Sequence, residues 1–330
     1  MKDCVPLVSN QVAPCSTTAD SFQAIFLLGY IVSTCLHGII TPYKRRIERL
    51  QDASRVVCVE SKTDPNFVIC PYQKEEDLYV SGSIRDTGIW DSDLTHLLKI
   101  TLSLYKKSAV IDLGAFIGYF TFLAGALGHD VVAVEPFNSS FKKLKHGLAL
   151  NDFPGTIKLL HRALSNKPSL IRMGKNQKFN LGNMQVHIEE DIDARKNVHN
   201  NDMVEAITMN DLRKYIHSKQ AIVKMDIEGY ECKALETSSL LFQELFIPYI
   251  FMEWFIIRTN IKENDTACPA EDAIKLVNYL VNLGYTPIGY HPNYKLLDPC
   301  CVLDWKIDDI LWQHKNAKSL LPFVDLTYRE

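Results

Sequence analysis

The chain has 330 residues, 47% of them hydrophobic, which is enough to bury one large core or one domain with extensions. Acidic and basic residues nearly balance, with a net charge of -3, and no basic block alternates with aromatic residues along a face. This composition argues against a nucleic-acid partner. It also contains no repeat or low-complexity tract that would indicate a fibrous or disordered protein.

Residues 1–49 form a leader with a largely apolar run, free of charged residues, at 22–40. This is about the length that crosses a bilayer, so we predict one membrane-spanning helix over 21–43, with an amphipathic or core helix as the alternative. Basic residues at 44–49 favour a cytosolic position for the large domain, whereas a glycosylation sequon at Asn264 would require a secretory lumen. We predict a membrane location with the side of the domain left open, and a cytoplasmic protein as the alternative.

Residues 50–107 are predicted to form an extension before the main domain. The apolar runs 56–59 and 67–70 predict a hairpin. A loop punctuated by glycine follows over 79–91. The next segment carries leucines at helical spacing, which predicts a helix containing Leu94, Leu97, Leu98 and Leu102.

From residue 108 to 330, apolar runs alternate with helical patterns, which predicts an α/β domain with a doubly wound, mostly parallel sheet. The predicted strands lie at 109–113, 131–135, 157–161, 221–226 and 248–253, with closing strands near 285–290 and 308–312. The predicted helices lie at 119–127 and 139–150, around Asp211, from about Tyr230, and at 270–282. Residues 165–205 are interpreted as an insertion with short strands around Leu170 and Val186.

The nine cysteines are spread widely in a chain too long to need a disulfide framework. Cys58 and Cys70 flank a short apolar segment and could pair, but buried free thiols explain them equally well. Cys300 and Cys301 are adjacent and are not expected to bond to each other. No cysteine pair or histidine cluster has zinc spacing, so no metal site is predicted.

The strand at 109–113 ends in an acid and a glycine turn, and the next strand ends in a second acid. Parallel strands that end in this way bind a nucleotide-like ligand at their carboxyl ends. The acid that ends the second strand can bind both hydroxyls of a ribose. Dinucleotide sites have three glycines, but here Phe116 fills the position between Gly114 and Gly118, and no basic residue serves a phosphate. An acid two residues before the first glycine instead suits an ammonium and a sulfonium. We therefore predict S-adenosylmethionine as the cofactor rather than a nicotinamide, bound by Asp112, Gly114, Ala115, Phe116, Gly118, Glu135 and Pro136.

A second group of acids follows the strands at 221–226 and 248–253. Ligands of open α/β sheets bind at the carboxyl ends of the strands, so Asp226, Glu228 and Glu253 are predicted to lie beside the methyl donor. Asp226 is the first candidate for a catalytic base or acceptor-positioning group, then Glu228, then Glu253. A divalent cation held by these acids is the less favoured hypothesis, and capping of the following helix is the structural alternative for Asp226. Lys224 is expected to pair with a carboxylate.

The first motif and the sequence Lys224-Met225-Asp226-Ile227-Glu228-Gly229-Tyr230-Glu231 together resemble the FkbM-type S-adenosylmethionine-dependent methyltransferases. The resemblance covers about residues 75–315, and two further segments look like the animal branch of that family. It implies a class I methyltransferase fold, Rossmann-like, with a seven-stranded sheet. Phe116 stands where the family usually has Asn, so a polar contact to the amino-acid end of the cofactor is missing or is supplied elsewhere.

The resemblance also implies methyl transfer to oxygen, on a small-molecule or glycan hydroxyl. The main hypothesis is therefore an O-methyltransferase that uses a carboxylate base. The alternative is a catalytically degenerate, membrane-associated binding or scaffold protein with a methyltransferase fold. The sequence does not predict an oligomeric state.

Overall fold

The computed structural model describes residues 57–173, 181, 186–187, 203–263, 267–291 and 294–320. The chain divides into two compact units, Met1–Arg55 and Val56–Glu330, and the described residues belong to the second. Within them, no helix is long and apolar enough to cross a membrane. The predicted span at 21–43 and the sequon at 264–266 lie outside the described residues, and the predicted domain boundaries stay predictions.

The extension begins with a confirmed hairpin, in which strand β1 (Val59–Glu60) pairs antiparallel with β2 (Val68–Ile69). The loop predicted at 79–91 is wrong, because residues Val80–Thr87 form helix α1. The serines and glycine of α1 have low helix propensity, but the helix is capped at both ends. The Asp77 carboxylate accepts a hydrogen bond from the Ser81 backbone N–H at 2.7 Å, and Gly88 ends the helix at a φ of 78°.

Helix α2 (Ser92–Leu104) confirms the predicted leucine pattern. Its N-cap residue, Asp91, accepts a hydrogen bond from the Leu94 backbone N–H at 2.9 Å. The four leucines that predicted the helix are all buried. They belong to a hydrophobic cluster that also contains the β1–β2 hairpin and the first helix of the main domain.

The main domain contains the remaining strands. In chain order they are β3 (Ala109–Leu113), β4 (Val131–Val134), β5 (Ile157–Leu160), β6 (Ala163–Leu164), β7 (Ser169–Met173), β8 (Val186–His187), β9 (Met203–Ile207), β10 (Ala221–Met225), β11 (Tyr249–Glu253), β12 (Tyr285–His291), β13 (Lys295–Leu296) and β14 (Asp309–His314). The α-helices are α3 (Tyr119–Ala126), α4 (Asn138–Leu150), α5 (Glu231–Leu235), α6 (Ser239–Glu244), α7 (Phe255–Glu263) and α8 (Ala270–Asn282). Two 3-10 helices span Asn210–Tyr215 and Pro299–Asp304.

The central sheet has the strand order β13-β12-β14-β11-β10-β3-β4-β5. Strands β5, β4, β3, β10 and β11 are parallel neighbours, and β14 runs antiparallel to both β11 and β12. The predicted class I methyltransferase fold is confirmed. The described sheet has one strand more than the seven expected, because the two-residue β13 pairs with the edge of β12.

The central parallel strands are buried on both faces. Every residue of β3, β4 and β10 is buried, as expected for a sheet covered by helices on both sides. One hydrophobic cluster packs α5 and α8 against the sheet, and another packs α2 and α3. The carboxyl ends of β3, β4, β10 and β11 meet at one edge of the sheet. Because β14 is antiparallel, its first residues reach that same edge.

The predicted insertion contributes a second sheet, with order β6-β9-β7-β8. This confirms the short strands predicted around Leu170 and Val186.

Two disulfide bonds join cysteines of the described residues, one between Cys58 and Cys70 and one between Cys232 and Cys268. The interpretation of these four residues as buried free thiols is therefore wrong. Cys300 and Cys301 are exposed free thiols.

Candidate active site

The loop after β3 is tied closely to the loop after β10. Gly114 has a φ of 78°, and a Cβ at this position would lie 1.7 Å from the backbone oxygen of Asp226. The lysine at position 224 strengthens this connection, since its Nζ donates a hydrogen bond to the Gly114 oxygen at 3.0 Å. The two sequence motifs therefore touch, and Gly114 is required for the contact between them.

Glu135 directly follows β4 and is buried. Its Oε2 accepts a hydrogen bond from the Phe116 backbone N–H at 2.7 Å, and its Oε1 accepts one from the Phe137 N–H at 2.8 Å. Burial raises the pKa of Glu135 to about 7, and the two backbone hydrogen bonds oppose that rise. The carboxylate thus joins the loop after β3 to the loop after β4.

Phe116 occupies a backbone conformation that is uncommon for its residue type. Its φ is 49°, in the left-handed region that Asn tolerates better than an aromatic residue. The ring stacks on Tyr72, with 5.6 Å between the ring centroids, and the backbone N–H is bound to Glu135. The replacement of the family's Asn by Phe116 therefore leaves the backbone hydrogen bond to Glu135 in place.

Two of the predicted cofactor residues, Asp112 and Gly118, pack against other parts of the protein. Asp112 is 1% exposed, and its Oδ2 accepts a hydrogen bond from Thr121 Oγ1 at 2.5 Å. Burial raises its pKa, while the Lys224 ammonium, 4.0 Å from Oδ1, lowers it. Gly118 has a φ of 96°, and a Cβ there would lie 2.3 Å from a Leu144 methyl group. The structure gives both residues partners within the protein, and direct cofactor contact by either stays a prediction.

Lys224 confirms its expected pairing with carboxylates. Its Nζ lies 3.1 Å from Asp226 Oδ2 and is 7% exposed at the side chain. Burial lowers the pKa of Lys224, but Asp226 and Asp112 more than offset this effect, so the net shift is upward. The ammonium therefore stays charged and holds the Asp226 side chain in place.

The turn that follows Asp226 has two successive residues in the left-handed region, Glu228 at a φ of 58° and Gly229 at 91°. Such a conformation is strained for a glutamate. Glu231, the fully buried first residue of α5, stabilises the turn because its Oε1 accepts a hydrogen bond from the Ile227 N–H at 2.9 Å. Burial raises the pKa of Glu231 to about 7. Glu231 thus positions the turn after β10, whereas its place in the sequence suggests only an acid in the first turn of a helix.

Glu228 and Glu253 approach each other and Asp226. Burial raises the pKa of each glutamate well above the ordinary value, and the Asp226 charge raises both further. The Oε2 atom of each is buried and has no hydrogen-bond partner among the described residues. Perturbed pKa values of this kind are typical of acids that exchange protons in an active site.

The segments that follow β3, β4, β10 and β11 line one cavity of about 320 Å³. Eight of the ten predicted site residues line it: Gly114, Ala115, Phe116, Glu135, Pro136, Asp226, Glu228 and Glu253. The other two, Asp112 and Gly118, are not among its lining residues. The sequence predictions did not name several of the other lining residues, including Tyr79, Arg162, Leu181 and Phe255.

Among the described residues, one group of metal-ligand atoms converges within 4.8 Å, from Cys58, Cys70 and His146. The two sulfurs are bonded to each other, so they do not offer thiolates. The acids of the cleft do not form such a group within the described part of the chain.

Comparison with known proteins identifies the family. The chain matches the model of the methyltransferase FkbM domain over residues 112–287, slightly more than half of its length. The match includes both motifs and every parallel strand from β4 to β11. No curated protein matches the chain.

Solved structures give a weaker likeness. An S-adenosylmethionine-dependent O-methyltransferase from Thermotoga maritima is 11% identical, with 77% of this chain and 75% of that chain covered and a TM-score of 0.34. An rRNA methylase from Streptococcus thermophilus is 12% identical, with 63% and 88% covered and a TM-score of 0.32. Scores this low carry no argument, so the assignment depends on the family match, together with the sheet topology. The chain belongs to the FkbM methyltransferase family.

Proposed function

We propose that the chain transfers the methyl group of S-adenosylmethionine to a hydroxyl group of a small-molecule or glycan acceptor, with a carboxylate as the base. The observation that carries this proposal is the convergence of Glu135, Asp226, Glu228 and Glu253 on one cleft at the carboxyl ends of β4, β10 and β11. Open α/β sheets bind their ligands at this edge.

The residues present fit the proposed cofactor. Glu135 uses each carboxylate oxygen for one backbone hydrogen bond, and each oxygen has a second lone pair that can accept a ribose hydroxyl. Asp226, Glu228 and Glu253 supply negative charge that suits an ammonium and a sulfonium. Apolar side chains, including Ile117, Val134 and Leu164, offer surface for an adenine ring.

The cofactor supplies an activated methyl carbon, and the protein has two tasks. It must hold the acceptor oxygen in line with the carbon–sulfur bond, and it must take the hydroxyl proton. With the cofactor bound, the acceptor oxygen would form the bond to the methyl carbon while the carbon–sulfur bond breaks with its electrons on sulfur, and a carboxylate of this chain would take the hydroxyl proton. Alignment can contribute about 7–11 kcal/mol, and general base catalysis about 10²–10⁴-fold in rate.

Three carboxylates are candidates for the base. Asp226 Oδ2 is engaged by Lys224, which leaves its other oxygen to position the acceptor hydroxyl. Glu253 and Glu228 have raised pKa values, so the ionised form of each is a stronger base than an ordinary glutamate. We therefore assign Asp226 to acceptor positioning or proton removal and retain both glutamates as competing bases.

Calorimetry with S-adenosylmethionine tests the cofactor first. We expect binding by the folded chain and its loss in Glu135→Gln. Absence of binding by the unaltered chain, with its melting transition intact, would refute the proposal and favour a non-catalytic binding protein.

Transfer of radiolabelled methyl groups to fractionated small-molecule and glycan extracts then tests the chemistry. Asp226→Asn should retain cofactor affinity and lose most turnover. Equal loss of both would mean that Asp226 shapes the cofactor site instead. If Glu253 is the base, Glu253→Gln should remove the acid limb from the pH profile of kcat/KM.

A further inference from the structure

Tyr72 lies in the extension, between β2 and α1, and contacts the loop that follows β3. The residue is buried, with 4% of its surface exposed. Its ring stacks on the ring of Phe116, with 5.6 Å between the centroids and 28° between the ring planes. Phe116 lines the candidate cofactor cleft, whereas Tyr72 is not among the described residues of its lining. Tyr72 therefore reaches the cleft through Phe116.

The position of Tyr72 is fixed by its backbone on one helix and by its side chain on another. Its N–H donates a hydrogen bond to Ser81 Oγ at 3.0 Å, and its carbonyl oxygen accepts one from Arg85 Nε at 2.6 Å, both on α1. Its hydroxyl lies 3.1 Å from Ser140 Oγ on α4. The Lys143 ammonium, also on α4, lies 4.4 Å from the ring centroid, in a cation–π contact. The ring is thus a fixed surface against which a neighbouring side chain can pack.

The stack on Tyr72 depends on the backbone conformation of Phe116. At a φ of 49°, Phe116 is in the left-handed region, which is unfavourable for a residue with a Cβ. In this conformation its N–H donates to Glu135 Oε2 at 2.7 Å while its ring stacks on Tyr72. Rotation to a negative φ would turn the N–H away from Glu135 and change the direction of the Cα–Cβ bond. The hydrogen bond and the stack therefore stabilise the same backbone conformation.

We propose that Tyr72 is a positioning residue for the cofactor: its ring holds Phe116 in the left-handed conformation, and the Phe116 N–H holds the Glu135 carboxylate toward the ribose. This inference rests on the proposed function, because it concerns the cofactor of the same site. It gives the extension a part in cofactor binding, whereas both sequence motifs lie in the main domain. The competing explanation is that Tyr72 only fills space in the hydrophobic cluster that contains α2 and α3.

A double-mutant cycle separates these explanations. Affinity for S-adenosylhomocysteine is measured by calorimetry on the full chain, at a temperature below the melting transition of every variant. We expect Tyr72→Leu to weaken binding by about five-fold or more, because the strained backbone of Phe116 loses its support. In a Phe116→Gly background the same substitution should change the affinity by less than about two-fold, since glycine adopts a positive φ without a stack. A residue that only fills the core would have the same effect in both backgrounds.

Tyr105→Leu is the matched control for the loss of a buried tyrosine. Tyr105 is 5% exposed and packs on the ring of Tyr249, with 6.1 Å between the centroids. Tyr249 is the first residue of β11, so this pair lies at the edge of the sheet opposite the cleft. Tyr105→Leu should lower the melting temperature and leave the affinity for S-adenosylhomocysteine unchanged.

A second pair of variants leaves Tyr72 unaltered and tests the same link if Tyr72→Leu does not fold. Phe116→Ala and Phe116→Gly both remove the ring and its stack, and they differ only in the Cβ. We expect Phe116→Ala to bind S-adenosylhomocysteine about five-fold or more weakly than Phe116→Gly, because without the stack only glycine keeps the left-handed conformation at little cost. Equal affinities would mean that this conformation does not need the stack, which refutes the positioning role.

The outcomes also separate this inference from the proposed function. If the unaltered chain binds S-adenosylmethionine but Tyr72→Leu acts equally in both backgrounds, or in neither, the positioning role is refuted and the methyltransferase proposal stands. An unaltered chain that is folded but binds neither S-adenosylmethionine nor S-adenosylhomocysteine would overturn both.

Discussion

The substitution Glu231→Gln should stabilise the protein, and increasingly so at higher pH. Glu231 is fully buried, and one of its oxygens accepts the Ile227 N–H. The glutamine carbonyl can keep that hydrogen bond, while the charge disappears. Burial raises the pKa of Glu231 from 4.5 to about 7. The native carboxyl therefore holds its proton up to about pH 7, whereas the unfolded chain releases it near pH 4.5.

The sign and size of the effect follow from this difference. Between the two pKa values the native state binds more protons than the unfolded state, so the stability contribution of Glu231 is present below pH 4.5 and is lost as the pH rises through 7. The free energy of unfolding that this one group removes is about 0.8 kcal/mol at pH 5 and about 3.4 kcal/mol at pH 8. Any constant effect of the new amide cancels between the two pH values, so the advantage of the variant should grow by about 2.5 kcal/mol.

Urea unfolding of the full chain and the variant at pH 5 and pH 8, at fixed ionic strength, measures this change. Glu271→Gln makes the same chemical change at an exposed position and is the matched control. A stability difference between Glu231→Gln and the unaltered chain that stays constant from pH 5 to 8 would refute the reasoning. It would mean that Glu231 ionises in the folded protein as readily as in the unfolded chain.

Three further predictions concern the backbone, the disulfide and the cofactor. Gly114→Ala should abolish cofactor binding or folding, because the new Cβ would lie 1.7 Å from the backbone oxygen of Asp226. In the control Gly82→Ala, in α1, the new Cβ meets nothing closer than 3.7 Å, and the melting temperature should rise. Cys70→Ser should lower the free energy of unfolding by about 3 kcal/mol, from the closed-loop entropy of its disulfide, and Cys300→Ser should leave it unchanged; equal stabilities would count against the bond. The affinity for methylthioadenosine, which keeps the ribose but has no group titrating near neutrality, should rise about ten-fold from pH 6 to pH 8 as Glu135 ionises, and a flat profile would argue against its proposed ribose contact.

The parallel strands and both motifs were readable from the sequence because their signals are local. Strands buried on both faces appear as unbroken apolar runs, and each of the five predicted parallel strands lies within one residue of its position in the structure. The acids of the motifs directly follow those strands. Their convergence is a consequence of parallel pairing, so the cleft could be predicted without knowing any side-chain contact.

Helix α1 could not be predicted in the same way. Its sequence contains Ser81-Gly82-Ser83, a pattern typical of a loop, and its stability depends on a carboxylate outside the helix and a glycine after it. Asp309 was missed for a different reason. It is the first residue of β14, and only the antiparallel direction of that strand brings it to the carboxyl edge of the sheet.

The buried acids bear on whether this family member is an enzyme or a degenerate binding protein. Glu135, Glu228, Glu231 and Glu253 all have raised pKa values, so each lowers stability at neutral pH relative to a neutral amide. A fold that only presented a binding surface would be more stable with glutamine at these positions. Proteins retain such destabilising groups where the chemistry needs them. Because Phe116 keeps its backbone hydrogen bond to Glu135, the one departure from the family motif does not disturb this group of acids, and the balance favours an enzyme.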